Sequence, residues 1–154
     1  MNWTRRSFLG TLGAGVVASE FGSLTTLAQG QGPAPNPARD AANVERDLVF
    51  GKGGDVELHC DIYKPPAGAS KRMAILHYHG GGFAGGNKNN LAARLQSLSA
   101  LGYVNIAAQY RVAGVAKWPA QIEGVEAGIR WAGAEASRLG IEPARIGVAG
   151  SSAG

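Results

Sequence analysis

The chain has 154 residues, 24 of them glycine, with 15 basic against 11 acidic side chains and one cysteine. This length bounds it to one domain, and the 45% hydrophobic content excludes a disordered or collagen-like chain. The lone thiol, Cys60, excludes an internal disulfide and reads as a small buried hydrophobe. No apolar run is long enough to span a bilayer, and the basic side chains are scattered rather than blocked, which speaks against a nucleic-acid partner.

Residues 1–28 read as an address. Thr4-Arg5-Arg6-Ser7-Phe8-Leu9 precedes a Gly-rich, weakly apolar stretch to Ala18 and a small-residue ending at Thr26-Leu27-Ala28. This resembles a bacterial twin-arginine export signal, which implies the twin-arginine machinery as a partner and a periplasmic or secreted product. Residues 29–43, rich in Pro and Gly at their start, form a flexible lead-in.

Residues 44–154 alternate strand and helix patterns. Val44 to Phe50 and Val56 to Tyr63 are strands, with Gly51, Gly53 and Gly54 as the hairpin between them. The second puts Val56, Leu58, Cys60 and Ile62 on one face and Glu57, His59, Asp61 and Tyr63 on the other. Lys64-Pro65-Pro66 ends the pairing, and Met73 to Tyr78 is a buried strand. A helix from Asn90 carries Leu91, Leu95, Leu98 and Leu101 on one face and closes at Gly102. Tyr103 to Gln109 is the next strand. Pro119 opens a helix with a stripe of Ile122, Val125, Ile129, Ala132, Ala136 and Leu139, closed by Gly140, and Arg145 to Ala149 is a fifth strand. The order predicts an α/β fold: a mainly parallel sheet with helices on both faces.

Two glycine-rich turns follow buried strands. Gly150-Ser151-Ser152-Ala153-Gly154 is a G-x-S-x-G in which small neighbours permit a strained strand-to-helix bend that presents Ser152 as a nucleophile. His79-Gly80-Gly81-Gly82-Phe83 lacks the side chains that would keep backbone N–H groups from a ligand oxygen, as an oxyanion hole requires.

These two turns, with Asp61-Ile62-Tyr63-Lys64-Pro65, Tyr110-Arg111, Trp118-Pro119-Ala120-Gln121 and Arg145-Ile146-Gly147, resemble an α/β-hydrolase esterase. The resemblance is to the hormone-sensitive-lipase-like and feruloyl or acetyl-xylan esterase types. The resemblance implies the N-terminal half of that fold over residues 44–154. It also implies Ser152 as nucleophile, an oxyanion hole from the amides of Gly81, Gly82 and Ala153, and a small-molecule or polysaccharide-linked ester as substrate. No metal or cofactor is implied. His79 is implied to shape its loop, not to act as base, and His59 and His77 read as strand side chains. Gly124 stands where relatives often carry Asp, and a glycine inside a helix costs about 1 kcal/mol against Ala.

Family order is Ser, then Asp or Glu, then His, whereas all three histidines here precede Ser152. The expectation is therefore a chain truncated at the nucleophile elbow, inactive alone, with its fifth strand bared at a sheet edge.

Three other readings compete. Gly80 to Gly85 satisfies the dinucleotide pattern G-x-G-x-x-G, but no Asp or Glu between Asp61 and Glu123 is available for a ribose. Asp61, His79 and Ser152 follow the order of a subtilisin-like peptidase. The third reading is a non-catalytic α/β-hydrolase relative that only binds a partner.

Overall fold

The computed structural model describes residues 43–154. The export signal and nearly all of the lead-in lie outside the described residues. Five strands form one sheet in the order β1-β2-β4-β3-β5: β1 Val44–Gly53, β2 Val56–Tyr63, β3 Ala74–Tyr78, β4 Val104–Ala108 and β5 Ile146–Gly150. β2 runs antiparallel to both β1 and β4, while β3 runs parallel to β4 and β5. Four strands thus point one way and β2 alone is reversed, a mixed sheet with a dominant parallel direction. After the opening hairpin each connection between parallel neighbours passes through a helix, as a crossover demands.

Alternation along the strands sends side chains into two layers. Leu58, Cys60 and Ile62 of β2, Ala74, Leu76 and Tyr78 of β3 and Val104, Ile106 and Ala108 of β4 share one core with Phe50, Ala132, Ala136 and Leu139. On the other face Tyr63 and Ala107 pack with Leu95 of α1 (Ala92–Ser99). Each fully buried Leu or Ile contributes about 1.5–3 kcal/mol, so both faces are closed by the apolar pattern of the strands. A polar seam crosses the α1 layer: His77 Nε2 meets Asn105 Oδ1 at 2.9 Å, and Asn105 Nδ2 donates to Ser99 Oγ at 3.2 Å. Ser99 Oγ in turn donates to the Tyr63 carbonyl at 3.0 Å.

The elements differ from the sequence expectation in four places. β1 continues through Gly51 and Gly53, which pair with Leu58 and Val56, so of the three hairpin glycines only Gly54, at φ +63, lies in the turn. The pairing potential of the backbone outweighs glycine's weak strand preference there. The helix expected from Asn90 begins as a 3-10 turn, Lys88–Leu91, and α1 ends at Ser99, which leaves Leu101 exposed beyond the apolar face. The long helix is two: α2 (Ala120–Ala134) and, after a break at Glu135, α3 (Ala136–Leu139). Its buried stripe holds at Ala132, Ala136 and Leu139, with Val125 packed against the core, but is rotated in its first half: Gly124 and Gly128 face the sheet, whereas Ile122 and Ile129 are exposed.

Gly128 explains that rotation. A Cβ on Gly128 would stand 2.5 Å from the Tyr78 hydroxyl and 3.2 Å from Leu76 Cδ2, so the helix seats its smallest residues where large strand side chains rise. At Gly124 a Cβ would stand 3.6 Å from Tyr110 Cα, an ordinary contact that alanine would also make. β5 is an edge strand of the described sheet, with Val148 half exposed.

Candidate functional site

The site is assembled where the parallel strands β3 and β5 end side by side, Tyr78 opposite Gly150. Each strand leads at that level into one of the two glycine-rich turns, so pairing register alone brings the turns to the same end of the sheet.

After β5 the backbone bends sharply at Ser152, whose φ is +56. This left-handed conformation costs a residue with a side chain about 1–2 kcal/mol, so the backbone at Ser152 is strained. The bend is held by Gly154 N–H donating to Ser151 O at 2.9 Å. Its two glycines have no room for a side chain. A Cβ on Gly150 would collide with the Gly154 backbone, and one on Gly154 would press into the Tyr78 carbonyl and stand 2.7 Å from the His79 carbonyl. Ser151 and Ser152 are exposed, and Ala153 is half-buried.

The turn after β3 is fastened at several points. Tyr110 donates its hydroxyl proton to the His79 carbonyl at 2.8 Å and stacks on the His79 ring, centroids 4.5 Å apart at 15°. His79 Nδ1 donates to the Gly80 carbonyl at 2.9 Å. Ala84 N–H and Gly85 N–H both donate to the Gly81 carbonyl, at 3.0 and 3.1 Å. Gly81, Gly82 and Phe83 take φ values of +135, +60 and +60, and Phe83 accepts at its carbonyl from Ala113 N–H at 2.7 Å. Gly81 needs its missing side chain, because a Cβ there would collide with the Gly85 carbonyl. Gly81 and Gly82 are both exposed.

The two turns touch through Gly80. A Cβ placed on it would lie 2.8 Å from the Ser151 carbonyl oxygen and 3.2 Å from Ser152 Cβ. The nucleophile candidate and the glycine run are therefore neighbours in space.

The three histidines are engaged elsewhere. His59 Nδ1 faces Asp47 on the β1–β2 hairpin. His77 is buried against Asn105, and burial holds its imidazole below the usual histidine range. His79 is committed to Gly80 and Tyr110. Asp61 does not approach His79. Its carboxylate lies fully buried on β2, accepting from Lys88 Nζ at 2.7 Å and from Asp47 N–H at 2.8 Å. The Asp61, His79, Ser152 order is therefore a coincidence of sequence. The G-x-G-x-x-G run likewise leads into a capped 3-10 turn at Asn87, not into a long helix. Cys60 is buried, its thiol pushed up to about 12 chiefly by burial, which fits the expected inert core residue. Among the described residues no group of three or more His, Cys, Asp or Glu side chains has the placement to hold a metal.

Sequence reading missed Gly86 and Lys88 as contributors to the turn, and it singled out Tyr110 with Arg111 only as part of the family resemblance, not for its bond to His79. Gly86 is the one with a local signal, lying in a Gly85-Gly86 pair; its φ is +88 and a Cβ there would stand 2.5 Å from His79 Nδ1. Tyr110 and Lys88 act through contacts with residues far along the chain, which no spacing rule reports.

A sheet in this order, with a serine turn and a glycine-rich turn meeting at its end, has the α/β-hydrolase fold of the esterases to which the chain is similar. The BD-FAE family profile matches residues 60–154, and the chain belongs to that family. The carboxylesterase NlhH of Mycobacterium tuberculosis is 35% identical over 110 residues, which is 70% of this chain and 34% of that protein. Arylacetamide deacetylase of Bos taurus is 30% identical over 124 residues, 77% of this chain and 30% of that protein. Among solved structures, the thermophilic esterase Est2 of Thermogutta terrifontis with butyrate bound gives a TM-score of 0.67 at 32% identity, covering 73% of this chain and 41% of that one. The same esterase is known phosphonylated by sarin and by cyclosarin. The chain spans about a third of the length of the curated relatives it matches.

Proposed function

We propose that this chain carries the nucleophile and the oxyanion hole of a serine-dependent carboxylic ester hydrolase. The observation that carries the reading is the contact of the two turns through Gly80, with Ser152 held at positive φ beside it. Ser152 Oγ attacks the ester carbonyl and gives its proton to a base. The carbonyl oxygen takes up the negative charge within reach of the Gly81, Gly82 and Ala153 amides, and the alcohol leaves with a proton. Water then hydrolyses the acyl-serine. His59, His77 and His79 are each bonded to other groups, so none of the three is proposed as the base.

The substrate is an ester, small or attached to a polysaccharide, outside the cytoplasm, since residues 1–28 read as a twin-arginine address. The relatives named as carboxylesterases and esterases support the reaction class. The organophosphate adducts of the Thermogutta esterase supply the probe. A fluorophosphonate is expected to label the full-length gene product at Ser152, and Ser152→Ala to abolish both labelling and hydrolysis of p-nitrophenyl acetate. A correctly folded protein that is neither labelled nor active points instead to the partner-binding role. The 154 residues alone are expected to show negligible turnover. Export is checked separately: replacing Arg5 and Arg6 with Lys is expected to retain the product in the cytoplasm of a host with an intact twin-arginine pathway.

A further inference from the structure

The glycine-rich turn leaves β3 at Tyr78 and ends where Lys88 opens the 3-10 turn. Its entry is fastened by Tyr110 and its middle by the Gly81 and Phe83 carbonyls, and at its exit the Lys88 side chain reaches into the fold. Lys88 is nearly fully buried, an uncommon place for a lysine, and its Nζ stands 2.7 Å from the Asp61 carboxylate. Asp61 is built to receive it. β1 carries a register irregularity at Asp47, where φ is +57, and the displaced Asp47 N–H donates to Asp61 Oδ1 at 2.8 Å. Arg46 approaches Asp61 Oδ2 at 3.4 Å, and the Asp47 carboxylate approaches Lys88 Nζ at 3.3 Å. Between Lys88 and the site, Asn87 caps the 3-10 turn through Asn89 N–H at 2.9 Å, and Gly86 presses on Gly80 and His79. Only Asn87 and Gly86 separate Lys88 from the turn that touches Ser152, and Gly86 is packed closely against Gly80 and His79, so a displacement of Lys88 reaches that turn through a short, tightly packed link.

We propose that the buried Asp61–Lys88 ion pair is a positioning device that clamps the exit of the 79–87 turn to β2 and so keeps Gly81 and Gly82 beside Ser152. The proposal rests on the ester-hydrolase reading and extends it to two residues far from the reacting atoms. A buried pair is a costly way to stabilise a fold, since desolvation offsets most of the attraction. What it supplies is a fixed distance and direction. A hole that acts on the transition state loses rate, not substrate affinity, when its donors drift.

The test uses the full-length gene product with Lys88→Met, which removes the donor, and Asp61→Asn, which retains an acceptor for Asp47 N–H and Lys88. Ile106→Val, a core change in the opposite layer, is the stability control. Lys88→Met is expected to lower kcat on p-nitrophenyl acetate by about tenfold to a hundredfold with KM unchanged, in line with the cost of misplacing a catalytic group. Its fluorophosphonate labelling rate falls in parallel, and amide exchange quickens in residues 80–87 while β4 stays protected. Asp61→Asn shows a smaller loss of the same kind. Wild-type kcat and exchange in Lys88→Met, or a loss that Ile106→Val reproduces at equal melting temperature, overturns the clamp. A wild-type protein that is neither labelled nor active overturns the ester-hydrolase reading and the clamp with it. Loss in the variants alone upholds both.

Discussion

Gly80→Ala is the sharpest probe of the proposed site, because it adds one methyl group at the point where the two turns meet. Gly80 is outside the positive-φ set, so alanine brings no backbone strain of its own and the effect is steric. The new Cβ would stand 2.8 Å from the Ser151 carbonyl oxygen, about 0.6 Å inside the 3.4 Å at which ordinary contact begins. Backbone cannot rotate away as a side chain does, so one turn must withdraw from the other. Overpacking of this kind costs about 1–3 kcal/mol. Misplacement by 1 Å costs on the order of a hundredfold in rate, which puts the loss in kcat here at roughly tenfold. Thermal melts and p-nitrophenyl acetate kinetics of the full-length product read both quantities, with Gly82→Ala as the comparison. Gly82 has φ +60 and open space around it, so alanine there brings strain without collision. If Gly80→Ala melts and turns over like the wild type, the turns are not in contact and the site as described is wrong.

Gly128→Ala should destabilise the domain by about 1–3 kcal/mol, measured by urea unfolding, because its Cβ would meet the Tyr78 hydroxyl that now donates to Val125 O at 3.0 Å. Tyr110→Phe removes the donor to the buried His79 carbonyl and should cost about 1–3 kcal/mol together with part of the esterase rate. His77 gives a pH test. Burial lowers its folded pKa beneath the ordinary 6.5, so the unfolded chain binds the proton first. Its contribution to stability is complete above that value and is lost as pH falls through the folded pKa. Urea midpoints from pH 7.5 downward should therefore drop in the wild type, with a shallower slope in His77→Gln. Cys60, buried with its thiol raised to about 12, should resist iodoacetamide in the native protein and react fully in urea. Rapid native alkylation would contradict the two-sided core.

The strands and the two turns were legible in the sequence because they rest on local chemistry. Alternation at Val56 to Tyr63 reports a strand whatever its partners, and a glycine run after a buried strand reports a bend. The helices were less so. The stripe through Ile122 and Ile129 is a sound apolar face, yet the sheet below it raises Tyr78, Leu76 and Phe50 against position 128, where only glycine fits. Which face of a helix is buried is decided by the volume of the opposing residues, and that volume is not written in the helix itself. Gly51 and Gly53 failed for the same reason in reverse: a partner strand ready to accept their hydrogen bonds held them in β1.

Asp61 shows where reading by motif and reading by structure part company. In the sequence it is an acid ahead of a histidine and a serine, and its place in that order suggests proton chemistry. In the fold it is a buried acceptor whose oxygens are filled by Lys88, Asp47 N–H and Arg46. A carboxylate already holding three donors, and bonded to none of the histidines, is a structural acceptor and not the orienter of an imidazole. The strain of the site lies elsewhere, at Ser152. A left-handed serine persists only where its surroundings leave no relaxed alternative. Those surroundings are the Gly154 N–H bond to Ser151, the Gly154 backbone packed on the Tyr78 and His79 carbonyls, and Tyr110 holding that same His79 carbonyl from the far side. The glycine-rich turn and the serine turn are therefore one mechanical unit, and a change that loosens either should be felt at both.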